Sequence, residues 1–90
     1  MTHQLDISTQ DFYDILGGKK NFDIQKNSHN FHENDQLIFR EFEDGEYTGN
    51  ELMRWVGYIQ HGDGTNGLAE GWCILALKRS APLKGIDGDF

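Results

Sequence analysis

One cysteine and one proline stand in this 90-residue chain, and no apolar run approaches the length of a membrane-crossing helix. The lone Cys73 has no partner for an internal disulfide. It sits in "WCILAL", with no basic neighbour to activate it, and reads as a small buried hydrophobe rather than a reactive thiol. The sequence opens without a charged-then-apolar leader, so the expected setting is the reducing cytoplasm, with no membrane partner. Basic residues are also scarce: 8 Lys and Arg face 15 Asp and Glu, for a net charge of −7. That balance weighs against general binding to a phosphate backbone, which leaves a basic footprint, and confines any nucleic-acid contact to a local patch. His29 and His32 have a spacing seen in zinc sites, but no second Cys or His pair follows, so neither metal nor cofactor is expected.

What is present is a compact, turn-rich composition: 37% hydrophobic, 12% aromatic and 11 glycines. It fits one domain with a small core. "HQLDIS" alternates Leu5 and Ile7 with polar residues, as a first strand does. Ser8 is a natural N-cap with Asp11 three residues on, and Phe12, Ile15 and Leu16 share a face, so a helix is expected near residues 9–17. Gly17 and Gly18 would then supply its left-handed stop.

In "NFDIQK" the alternation puts Phe22 and Ile24 on the buried side of a second strand, with Asp23 and Gln25 on the other. "NSHNFHEND" reads as a loop anchored by Phe31. "QLIFREFE" reads as a central strand, with Arg40 and Phe42 of one parity and Glu41 of the other. Turn signals at Asp44-Gly45 and Gly49 precede "LMRWVGYIQ", where Met53, Trp55 and Ile59 oppose Leu52, Val56 and Tyr58 and Gly57 marks a bulge or a sharp bend. A flexible loop, "HGDGTNG", leads to the last strand, "WCILALK". Trp55 and Trp72 are expected in the core. Residues 1–78 thus form the domain and 79–90 a tail without periodicity. The expected fold class is α+β: a small, strongly curved β-barrel of about five or six strands with one helix, since closure removes exposed edges.

Three motifs, in order, resemble the ASCH family of the PUA-like superfamily, over His3 to about Lys78. The helix entering "GGKKNFDIQKN" is similar to that family's Gly-x-Lys-x-x-(Glu/Thr)-x-Arg signature. "ENDQLIFREF" is similar to its Gly-Asp pair and following strand. "EYTG" is similar to a turn in a small bacterial and phage branch. The resemblance implies a PUA-like barrel linked to RNA and modified-nucleoside chemistry. Departures accompany it: Gln25 replaces the signature arginine, and Asn34 replaces the glycine. In relatives resembling amidohydrolases for N-acetylated cytidine, a Lys, a Thr and a distant Glu act together. Lys20 matches the Lys, but Asp23 stands at the Thr, and a carboxylate attacking an amide would form a high-energy anhydride. An enzyme built on this chain would use Asp23 as a base for water and Lys20 as a stabiliser.

Each candidate residue has a sharper and a plainer reading. Lys19, Lys20 and Lys26 either hold a phosphate or complement the negative end of the helix. Asp23, Gln25, Arg40 and Glu41 either line a pocket that reads a base edge or form a solvated face of cross-strand pairs. Tyr47 and Thr48 either close that pocket or anchor a turn. The expected function is a non-catalytic binding module for RNA or a nucleotide-like ligand, through a Lys-lined cleft. The alternatives are an amidohydrolase and an acidic interaction protein whose "REFEDGE" stretch meets a basic protein partner.

Overall fold

The computed structural model describes residues 1–82; the part of the expected tail from residue 83 onward lies outside the described residues. Its elements run β1 (Thr2–Ile7), α1 (Thr9–Leu16), β2 (Phe22–Lys26), β3 (Gln36–Glu43), β4 (Glu46–His61) and β5 (Trp72–Lys78). The five strands form one sheet in the order β1-β3-β4-β5-β2. Only β1 and β3 run parallel. The sheet curls through 207° into a half-barrel, so the fold is α+β with one helix, as a small, strongly curved barrel requires. β1 and β2 follow each other in the chain but occupy opposite edges, and α1 joins them while packing on β3.

Local chemistry explains most of the elements. The Ser8 hydroxyl accepts a hydrogen bond from the Asp11 N–H at 3.2 Å, which satisfies a donor that the first turn leaves open. Phe12 and Ile15 enter the core with Leu5, Ile7, Leu37, Phe39, Leu52, Val56 and Leu75. Leu16, expected on the same face, is half exposed because it lies on the flank of the Phe12–Ile15 stripe. The helix stop differs by one residue from expectation: Gly17 keeps a right-handed φ of −79°, and Gly18 takes the left-handed φ of +80°.

Asp44 and Gly45 both have positive φ, 51° and 80°, as a two-residue hairpin turn between β3 and β4 demands. The β4–β5 register shifts between Val56 and Tyr58, so Gly57 is the bulge. The bulge reverses the side-chain parity: Val56 is fully buried and Ile59 packs on the core, whereas Tyr58, expected beside Val56, is exposed. Trp72 corrects another expectation. It is 38% exposed on the outer face of β5, because its neighbour Cys73 takes the inward position. Within the loop after β4 the Asp63 carboxylate accepts from the Thr65 and Asn66 N–H groups at 2.7 and 3.0 Å.

Candidate ligand site on the inner face of β2

β2 faces opposite to the expected way. Phe22 and Ile24 are 41% and 48% exposed, while Asp23 is only 5% exposed. The register explains it: Asp23 pairs with Leu75 and Gln25 with Cys73, and both partners point into the core. The strand's polar side is therefore the concave side of the half-barrel.

Around Asp23 the polar groups are tightly arranged. The Gln25 amide donates to the Asp23 carboxylate at 2.6 Å. Lys20 Nζ lies 3.8 Å from the same carboxylate and donates to Asp11 at 3.0 Å. Burial raises the Asp23 pKa above the ordinary carboxylate value; the Gln25 hydrogen bond and the Lys20 charge oppose the rise, Asp11 adds to it, and the Ile24 N–H lowers it slightly. The buried Cys73 thiol is likewise pushed up, by desolvation first and then by the Asp23 charge.

Cations gather at the C-terminal end of α1. The Lys20 N–H bonds the Asp14 carbonyl at 2.9 Å. Arg54 crosses from β4 and donates to the Ile15 carbonyl at 3.1 Å, which occupies an acceptor that the helix end leaves open. Burial, then the Arg79 charge, lowers the Arg54 pKa. The Arg79 guanidinium lies against Gly18, where an added Cβ would collide with its Nη2. Arg54 and Arg79 were not among the sequence candidates. Arg54 was within reach, because it shares parity with Leu52 and Val56; Arg79 carried no signal.

This arrangement sits in a recognised family. The model for a domain of unknown function, DUF3850, matches residues 2–77. The chain belongs to that family. No curated protein matches it. The DUF3850 match takes in β1 to β4, the helix and all but the last residue of β5, and so both the helix stop and β2.

Within the DUF3850 domain the remaining candidates do not join Asp23. β4 and β5 separate β3 from β2, so residues of β3 and β2 cannot line one pocket as sheet neighbours. Arg40 points outward, 3.0 Å from Asp6, and donates to the Tyr47 hydroxyl at 3.1 Å. Tyr47 in turn donates to Asp6 at 2.9 Å, a bond that raises its pKa, and its ring stacks under the Arg40 guanidinium at 4.6 Å. Tyr47 thus anchors the hairpin's outer face rather than closing an inner pocket.

Glu41 does point inward, at 3% exposure, but it stands at the other end of α1. It accepts from Thr9 at 2.5 Å, Thr48 at 2.6 Å and Asn50 at 2.9 Å. These bonds hold its pKa below the ordinary value, Thr48 foremost. Lys19 and Lys26 are exposed, and Lys26 lies over the outer face of Trp72, 5.7 Å from the ring centroid. Of the three lysines, only Lys20 reaches Asp23. Among the described residues no group of three His, Cys, Asp or Glu is placed to hold a metal, and no helix is long and apolar enough to cross a membrane.

Proposed function

We propose that this DUF3850 domain is a non-catalytic binding module for RNA or a nucleotide-like ligand, seated at the inner face of β2. One observation carries the reading: an edge strand turns Asp23 and Gln25 inward and leaves Phe22 and Ile24 to solvent. Burying a carboxylate costs free energy unless something meets it; the Asp23 carboxylate accepts hydrogen bonds, and the neighbouring amide group of Gln25 can both donate and accept. Together they offer the paired donor and acceptor that a base edge requires. Lys20, Arg54 and Arg79 supply local positive charge for a phosphate in a molecule whose net charge is −7.

The reading includes kinship with the ASCH family, supported by the "GGKKNFDIQKN" and "ENDQLIFREF" motifs, and a cytoplasmic setting. The test is an NMR titration of the full chain with cytidine, cytidine monophosphate and a short single-stranded RNA. Shifts should centre on Asp23, Gln25 and Arg54, weaken with added salt for the phosphorylated ligands, and disappear in Asp23→Asn. Shifts that leave these residues untouched, or that survive Asp23→Asn, overturn the proposal.

A further inference from the structure

β2 is an edge strand, and its backbone register settles which groups face outward. Leu77 N–H bonds Asn21 C=O at 2.9 Å, and Asn27 N–H bonds Gly71 C=O at 2.9 Å, so the odd-numbered residues of this segment pair with β5. The N–H and C=O groups of Phe22, Ile24 and Lys26 lie on the free edge and have no backbone partner among the described residues, although the Ile24 N–H also interacts with the Asp23 carboxylate. The side chains of the same residues form an exposed outer face, continued on β5 by Ile74 opposite Ile24 and Trp72 opposite Lys26. An open ladder beside an apolar face is the geometry by which sheets take up an extended peptide.

Charge selects the occupant. Lys19 and Lys26 are exposed at the two ends of this edge, and the one acid between them, Asp23, points to the other side of the sheet. A second copy pairing here would bring its own Lys26 and Lys19 against these, which is unfavourable. We infer that the free edge of β2 binds an extended, acidic and apolar segment of a protein partner, which adds a strand beside Phe22–Lys26. The partner's apolar side chains lie over Phe22, Ile24 and Trp72, and its carboxylates meet Lys19 and Lys26. This surface is separate from the inner ligand site, so either proposal stands without the other.

The probe is a short blocked peptide with valines at alternate central positions and aspartates at both ends, on the same face as the valines, added to the full chain. Amide exchange read by NMR should slow at Phe22, Ile24 and Lys26, and Trp72 fluorescence should change. Ile24→Asp, at an exposed position that keeps the fold, should weaken binding by more than about tenfold. The same peptide with lysines in place of the terminal aspartates, or with proline at its centre, should bind at least about tenfold more weakly than the acidic peptide, because the first loses the charge match and the second a ladder donor. Four results overturn the inference. They are an acidic peptide that protects none of these amides, equal binding of the proline peptide, amides already protected in the free monomer, and protection that rises with protein concentration alone. The last would assign the edge to a second copy.

Discussion

Gln25→Ala tests the inner site at its most constrained bond. The Gln25 amide donates to the buried Asp23 carboxylate at 2.6 Å, and a hydrogen bond to a charged group contributes about 1.5–3 kcal/mol. Gln25 is itself partly exposed, so water replaces some of the lost interaction and the lower part of that range applies: ~1.5–2 kcal/mol where Asp23 is ionised. Where Asp23 is neutral the bond is an ordinary one, and the same substitution should cost about 0.5–1 kcal/mol.

The pH dependence has a definite sign. Asp23 has a raised pKa in the folded chain, so between the ordinary carboxylate value and that raised value the folded state binds more protons than the unfolded one. Stability from this group therefore falls as pH rises through that window, and Asp23→Asn should remove the fall. Gln25 opposes the rise in pKa, so Gln25→Ala should widen the window and deepen the loss. Urea unfolding of the single and double variants gives the coupling at neutral pH. If Gln25→Ala costs the same with Asp23 and with Asn at that position, the bond carries no charge assistance and the account of the site is wrong.

Glu41 titrates in the opposite sense. Its folded pKa is lowered by Thr48, Thr9 and Asn50, so its contribution to stability is present above the ordinary carboxylate value and is lost as pH falls through the lowered one. Thr48→Val should move the Glu41 carboxyl back up in a carbon-detected NMR titration, and an unmoved titration would refute that role. In the core, Ile15→Ala, at 1% exposure, should cost about 2–5 kcal/mol in urea unfolding. Leu16→Ala, at 47% exposure, should cost under about 1 kcal/mol, and equal costs would contradict the packing of α1. Incubation with N-acetylated cytidine should release no cytidine. Release on the order of one per second or faster, abolished by both Lys20→Ala and Asp23→Ala, would establish catalysis with Asp23 as the base.

Elements held by short-range chemistry were legible from the sequence. The Ser8 cap, the Asp44-Gly45 hairpin and the Gly57 bulge each depend on a few neighbouring residues, and each stands where its residue types require. The grouping of the candidate site was legible only where it was local. Lys20, Asp23 and Gln25 converge because a helix stop and one strand carry them, whereas Arg40, Glu41, Tyr47 and Thr48 belong elsewhere because β3 lies beside β1 and β4, away from β2. Sheet order is a long-range property, and no short segment encodes it.

The facing of β2 was misread for a related reason. Two apolar residues alternating with two polar ones assign a buried side only if nothing else competes, and a one-residue change of register exchanges the faces completely. In β5, Cys73 and Leu75 fill the inner side while Trp72, Ile74 and Ala76 give an outer side that also accepts apolar neighbours, so Phe22 and Ile24 keep apolar contacts even outside. Asp23 inside and Ile24 outside are thus two consequences of one register. A ligand on the inner face and a strand on the outer edge would both favour that register over its alternative, so the two proposed surfaces would stabilise the same strand from opposite sides.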